Sequence, residues 1–272
     1  MTAAERSVTF DQAADYYDRT RALPNATVRA MVDLLRGELA GRGRALESGV
    51  GTGRIALPLY RAGARMAGVD LSAPMLQRLA YNAGGTAPFP VAVADATRLP
   101  FAEDTFGAGI ACHVLHLVAD WKLATDELVR VVQPGGVLLV DPGGGWPDEH
   151  AELTTRFQQE ANAQAALPGV GAGADRMLTG LGRAADLDAA MAARGARLRL
   201  LPTVANPSTK PLSAVIGEME EGQRSWNWQL PPADLRRAGA AVRAWAQQRW
   251  GDLDAGRELV GEIQWRAYDL PG

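Results

Sequence analysis

Several functional classes are hard to build from this chain because it lacks their raw material. A single cysteine, Cys112, stands among 272 residues, so no internal disulfide can form and a cysteine-built zinc site has no partners. A reducing, cytoplasmic setting fits that usage. No apolar run approaches the roughly 20 residues that a bilayer crossing needs, and the opening MTAAERSVTF carries no apolar signal core. Neither secretion nor membrane spanning is expected. Charge of one sign is also missing: 28 Lys and Arg against 31 Asp and Glu leave a net charge of −3, which gives no general attraction for a phosphate backbone, so nucleic acid is not an expected partner. The one basic concentration, residues 236–257, is broken by Ala, Trp and acidic residues and reads as a solvated helix face. Histidine is scarce too; Cys112, His113 and His116 lack a further convincing ligand, so no metal is expected.

What is present is the composition of a folded protein, 47% apolar and 22% charged, in a chain long enough to bury a substantial core. Val28, Met31, Val32, Leu35 and Leu39 keep helical spacing from Pro24 to Leu39, with Gly41 and Gly43 offering a stop. Short apolar segments follow at 44–50, 65–70, 89–95, 106–114 and 135–141. Helical stretches separate several of them: Arg54–Ala64, a turn opened by Ser72 with Pro74 in its first turn, and an amphipathic helix containing Trp121, Leu128, Val131 and Val132, closed by QPGG. Strands alternating with helices predict parallel βαβ units and a sheet covered on both faces. Beyond Asp141 the pattern loosens. Residues 150–166 and 183–194 read as helical, with the glycine-rich LPGVGAGADR between them. Segments 196–205 and 258–270 have strand character and are expected to pair as a hairpin, separated by a helical insertion at about 211–251 that holds four of the seven tryptophans.

The most informative stretch is ESGVGTGRIAL, residues 47–57. A glycine turn between a strand and a helix lets a ligand approach the backbone, and the helix start adds amide donors. A dinucleotide site wants G-x-G-x-x-G; here Gly49, Gly51 and Gly53 make G-x-G-x-G, with Arg54 in the place of the third glycine, either touching ligand or lying on the helix surface. Glu47 would repel a pyrophosphate, which disfavours NAD. The same carboxylate suits a cationic amine, directly or through water, while the glycine amides can face a carboxylate. Asp70, at the next strand end, can accept from a ribose diol. Asp95 ends a third strand and can receive an adenine amino hydrogen while the Ala96 amide addresses a ring nitrogen; Leu71 flanks the adenosine. An amino acid joined to a nucleoside satisfies all three strand ends, and the implied ligand is S-adenosylmethionine (SAM), with S-adenosylhomocysteine (SAH) as product.

LESGVGTGR, GVDLSAPML, VADATRLPF and LVRVVQPGGVLLV together resemble the successive motifs of class I SAM-dependent methyltransferases, nearest to the type 11 group that includes ubiquinone and menaquinone biosynthesis enzymes. The match covers about residues 40–142. FDQAADYYDRTR resembles the entry segment of that group, with Tyr17 and Arg21 on its recurring Tyr and Arg positions, which adds both to the expected cofactor site. The resemblance implies an α/β, Rossmann-like, doubly wound sheet of seven strands with one antiparallel, and SAM across its carboxyl edge. The expected organisation is one methyltransferase domain over 1–272: an N-terminal helical lid at 1–43, a SAM-binding core at 44–142, and a specificity half at 143–272.

The sulfonium of SAM is already an activated electrophile, so a protein mainly has to align the acceptor and exclude water. His113 and His116 follow the fourth strand on the reactive edge, and His113 is the better placed to take a proton. Tyr16 and Tyr17 can close over the cofactor or staple the N-terminal helix. Trp226, Trp228, Trp245 and Trp250 read as helix core or as a pocket for a partly apolar or aromatic acceptor. The expected function is methyl transfer to a small molecule. A SAM-binding sensor or partner subunit without turnover is the alternative, and NAD-dependent oxidoreduction a weaker one.

Overall fold

The computed structural model describes residues 7–164 and 180–272. The glycine-rich LPGVGAGADR and the end of the helix expected to reach 166 lie outside those residues. Contacts divide the described chain into two units, residues 7–144, 180–204 and 263–272 in the first and residues 145–164 and 205–262 in the second.

The first unit opens with α1 (Tyr17–Arg21) and α2 (Asn25–Leu39), the latter burying Thr27, Met31, Val32 and Leu35 on one stripe. Alternation follows: β1 (Arg44–Ser48), α3 (Ala56–Arg61), β2 (Arg65–Asp70), α4 (Ala73–Asn82), β3 (Val91–Val93), β4 (Phe106–Cys112), α5 (Trp121–Val131) and β5 (Val132–Asp141). Ser72 caps α4 as the sequence predicts, accepting the Met75 N–H at 3.3 Å, and Asp120 caps α5 by accepting from Leu123. The helix expected from Arg54 starts two residues later, because Gly53 still closes a turn by donating to the Val50 carbonyl. QPGG does not close a helix as a loop; it lies inside β5, where the β4 pairing skips from Phe106↔Val132 to Ala108↔Val137.

Parallel pairing runs β3-β2-β1-β4-β5, and β9 (Arg266–Asp269) then lies antiparallel between β5 and β6 (Arg197–Leu200). The sheet therefore has seven strands with β9 reversed. The predicted pairing of the two late strand segments occurs twice: β6 with β9 in the main sheet, and β7 (Val204–Ser208) with β8 (Leu259–Ile263) in a separate ribbon. At the sheet edge Arg197 and Arg199 replace apolar residues, and Arg199 is held by Glu38 and Asp269, a charged margin that resists further strand addition. Period-two alternation splits the strands between two cores: Ile110, Val137 and Leu139 face α2 and α3, while Leu46, Leu138 and Val140 face α5 and α7 (Ala184–Ala192).

The second unit contains α6 (Asp148–Gln164), α8 (Leu212–Glu220) and α9 (Pro232–Trp250), and α9 packs on the other two. Its core joins Leu153, Phe157, Ile216, Met219, Trp226 and Val242. Trp226 packs against Phe157 at 5.9 Å, and Trp245 meets Trp250 edge-on at 5.2 Å. Three of the four insertion tryptophans thus belong to this helical core, the structural one of their two readings. Among the described residues no helix is long and apolar enough to cross a membrane.

Candidate active site

The carboxyl ends of β1, β2 and β4 open onto one cleft, bounded by Ser48, Gly49, Gly51, Asp70, Leu71, Asp95, Ala96, Cys112 and His113, with the N-terminal segment Ser7–Phe10 and Tyr17 over it. Its position follows from topology, since the chain runs outward from β1 through β2 to β3 and then returns to place β4 on the other side of β1, leaving a crevice beyond the strand ends where the order reverses. Tyr17 and Phe10 meet edge-on at 5.8 Å. Tyr16 caps α1 instead, where its carbonyl accepts from Thr20.

Each glycine of the turn has its own steric reason. A Cβ on Gly49 would stand 2.5 Å from Val114 Cγ2, and one on Gly53 2.6 Å from Leu57 Cγ; both residues have φ in the left-handed region, +74° and +84°. The turn's amides, however, are used internally. Gly49 donates to the Val69 carbonyl, Gly51 to Asp70 Oδ2 at 2.8 Å and Gly53 to the Val50 carbonyl. The expectation that these amides meet a ligand carboxylate is therefore corrected: the glycines supply close approach, and their N–H groups hold the turn to β2.

Asp70 is the anchor of that arrangement, accepting from Gly51 through one oxygen and from Ser72 through the other, each at 2.8 Å. Burial raises its pKa, the Ser72 and Gly51 amides pulling the other way. Each oxygen keeps a second lone pair for a ligand. Asp95 is exposed; its Oδ1 accepts from the Thr97 amide and hydroxyl, both at 2.8 Å, which leaves Oδ2 open. Leu71 presents its side chain to the cleft at 39% exposure, an apolar shelf of the kind a purine covers.

Glu47 lies behind this surface. It is 2% exposed, and its Oε2 has no hydrogen-bond partner. Burial pushes the carboxyl up to about 8, against the pull of the Arg54 guanidinium and the Ala56 amide. Arg54 neither reaches the cleft wall nor lies on a helix surface; it turns inward among Tyr17, Cys112, Asp141 and Glu47, of which Asp141 carries the negative charge that offsets the burial of its own. Arg21 borders a neighbouring cavity with Tyr17, Asp18, Arg54 and Asn82, so the two residues assigned by resemblance are divided, Tyr17 alone bordering both spaces.

The histidines separate cleanly. His113 follows β4 directly, at φ +53°, and lines the cleft, with Nε2 3.0 Å from Asp141 Oδ2. His116 sits within the single turn Leu115–Leu117 that follows, where burial and then His113 drive it down to about 4. Donor atoms of Cys112, His113 and Asp141 lie within 4.8 Å of one another. The Arg54 guanidinium, 3.5 Å from Cys112 Sγ, already brings positive charge to that group, which holds together as an ion-pair cluster.

Three contributions escaped sequence reasoning. Asp141 ends β5 as Asp70 ends β2, so the same acid-at-strand-end signal marked it. Asp18 fastens the N-terminal segment by accepting from Thr52 Oγ1 at 2.6 Å, Asn82 Nδ2 at 2.9 Å and Arg78 Nε at 3.1 Å. Residues Ser7–Phe10 wall the cleft, with the Val8 amide donating to the Leu117 carbonyl. Phe10 and Asp18 lie within the FDQAADYYDRTR segment that marked the expected lid, but their individual contacts carry no local sequence signal, because the partners lie tens of residues away.

Residues 46–140 match a family described as methyltransferase domain. Over this stretch the chain is similar to class I methyltransferase domains of the type 11 group. Two demethylmenaquinone methyltransferases are similar to the chain: that of Clavibacter sepedonicus, 33% identical over 49% of this chain and 56% of its own, and that of Thermobifida fusca, 38% identical over 48% and 58%. The chain thus spans little more than half the length of these relatives. Among solved structures, YcgJ of Bacillus subtilis superposes with a TM-score of 0.59 at 16% identity, covering 90% of this chain and 99% of its own, a likeness of fold. The seven-stranded methyltransferase sheet with its reversed strand is therefore present here beyond the matched stretch.

Proposed function

We propose that the protein binds SAM in the cleft at the carboxyl ends of β1, β2 and β3 and transfers its methyl group to a small, partly apolar molecule. The observation that carries this reading is the convergence of Gly49, Gly51, Asp70, Leu71, Asp95 and Ala96 on one cavity within the methyltransferase domain. The residues fit the group. Gly49 and Gly51 admit close backbone approach, Asp70 faces a ribose diol, Leu71 and Ala96 flank a purine, and Asp95 Oδ2 is open to its amino hydrogens. Glu47, buried one layer back, offers a carboxyl whose ionised form compensates an amine charge. Tyr17 closes the cleft with Phe10. Val8, Met75, Val114, Leu117 and Val118 give the remaining wall its apolar character, which supports an acceptor with an apolar or aromatic body. Bound SAM supplies an activated methyl group; the chain's part is to hold the acceptor in line and keep water out.

Titration calorimetry with SAM, SAH and NAD tests the cofactor. SAM and SAH bind and NAD does not; binding of NAD alone overturns the reading. Replacing Asp70 with Ala weakens SAM binding by about 1–3 kcal/mol, the loss of a charged acceptor at a half-buried site. Unchanged affinity in that variant refutes the ribose assignment. Release of SAH from tritiated-methyl SAM in the presence of metabolite extract then separates a transferase from a SAM sensor.

A further inference from the structure

Asp141 and His113 are tied to each other twice. The His113 main-chain N–H donates to the Asp141 carbonyl at 2.9 Å, and the ring Nε2 stands 3.0 Å from Asp141 Oδ2. His113 takes a left-handed φ of +53°, a conformation costly for a non-glycine residue, and two bonds to the adjacent strand over-determine it. Asp141 Oδ1 accepts the Gly143 amide at 3.0 Å. Burial raises this carboxyl's pKa, but the charge and hydrogen bond of His113, the Gly143 amide and the Arg54 guanidinium together outweigh it and hold the group below its ordinary range. An ionised carboxylate accepts only, so Nε2 must be the donor and the neutral ring keeps its lone pair on Nδ1. The His113 side chain is 21% exposed, and the residue lines the cleft.

We propose that Asp141 is a positioning residue that fixes the Nε2–H tautomer of His113, and that His113 Nδ1 is the proton acceptor for an acceptor molecule whose attacking atom carries an ionisable hydrogen, a hydroxyl in the simplest case. This rests on the proposed methyl transfer and names the acceptor chemistry it serves. The step balances without a further reagent. The hydroxyl proton passes to Nδ1, the oxygen lone pair forms the bond to the methyl carbon, and the carbon–sulfur bond breaks with its electron pair returning to sulfur. Imidazolium formed at His113 is then held by Asp141 directly, opposed by the Arg54 charge near Cys112. Half-buried His116 is no rival, since it does not border the cleft and its low basicity makes it a poor proton acceptor. An amine that arrives neutral has no need of this pair.

Two measurements on the full chain decide the matter. The first is imidazole ¹⁵N NMR without any ligand, comparing wild type with Asp141→Asn and using His113→Gln to assign the signal. Neutral His113 should show a protonated Nε2 and a bare Nδ1, and Asp141→Asn should shift the tautomer balance. A protonated Nδ1 in wild type, or an unchanged tautomer balance in the variant, overturns the proposal. The second uses 4-nitrophenol as a chromophoric hydroxyl probe, added at pH 6 to protein loaded with SAH. Wild type should turn the bound probe to its yellow phenolate and His113→Gln should not; a probe that stays neutral in wild type, or does not bind, overturns it. With an acceptor found by the metabolite screen, His113→Gln should lower turnover by about 100-fold or more while calorimetric SAM affinity stays within about twofold. Failure of wild type to bind SAM would instead remove the methyl-transfer reading, with the ligand-free tautomer still measured independently.

Discussion

Replacing Glu47 with Gln tests the charge state of the glycine turn. Glu47 is 2% exposed and has one oxygen without a partner. Burial is the dominant influence and lifts its pKa from 4.5 to about 8. Between those values the folded chain holds a proton that the unfolded chain has released. Stability attributable to this group is therefore full below about pH 4.5, falls as pH rises through the window, and is lost above about 8. At about 1.4 kcal/mol per pH unit the span from 4.5 to about 8 sets a ceiling of roughly 5 kcal/mol. The substituted amide would stay neutral throughout and keeps the shape, so the variant should match wild type near pH 5 and exceed it by roughly 3–5 kcal/mol at pH 8.5. Urea unfolding of both proteins, followed by tryptophan emission from pH 5 to 8.5, measures this. Parallel stability curves would refute the reasoning, because they would mean the buried carboxyl is already ionised in the fold. A linked test uses the ligand: if a cationic amine settles beside Glu47, SAM binding at pH 7 expels close to one proton. Calorimetry in two buffers of different ionisation heat then shows a buffer-dependent enthalpy in wild type that Glu47→Gln lacks.

Further outcomes follow from the latch and the turn. Burial pushes the Asp18 carboxyl up, but hydrogen bonds from Thr52, Asn82 and Arg78 outweigh this and leave it below its ordinary value, so the latch is intact above the usual carboxylate range and is lost as pH falls through the lowered pKa. Removing it in Asp18→Ala should free the N-terminal segment by about 1–2 kcal/mol, a figure reduced by the partial exposure of Asp18 and Arg78; hydrogen exchange over residues 7–21 should accelerate, and unchanged protection there would contradict the latch. Gly49→Ala forces a Cβ to 2.5 Å from Val114 at a φ of +74°, whereas the nearest atom for Gly51→Ala is the mobile Met75 Cε at 3.3 Å. The first should cost at least about 2 kcal/mol in urea unfolding and more than the second; equal costs would show that strain in φ alone, not the Val114 contact, governs the turn.

The acid-at-strand-end pattern was legible because a strand followed by a tight turn exposes its last residue at the sheet edge, whatever the rest of the chain does. Asp70, Asp95, Gly49 and Gly51 accordingly border one cleft, while Gly53 faces the neighbouring cavity. Their hydrogen bonds were not legible. The amides of Gly49 and Gly51 were free to face a ligand in any local reading, and it is the neighbouring strand, ending in Val69 and Asp70, that claims them. Arg54 likewise had two local readings and took neither, because Tyr17, Cys112, Asp141 and Glu47 arrive from four different elements. The insertion tryptophans have a plain helical spacing, and whether such a face meets a core or a pocket depends on partners far away in sequence.

By itself, then, the order of apolar segments, glycine turns and terminal acids determined the alternating sheet, the edge on which its cleft opens and several of the residues that border that cleft. These are consequences of short-range geometry, of side-chain alternation and of what a turn allows. Only the tertiary structure decided which oxygens remain open, that Glu47 is buried rather than presented, and that His113 rather than His116 faces the cleft with Asp141 behind it. Those outcomes turn on desolvation and on distances between strands, and neither quantity exists until the chain has packed.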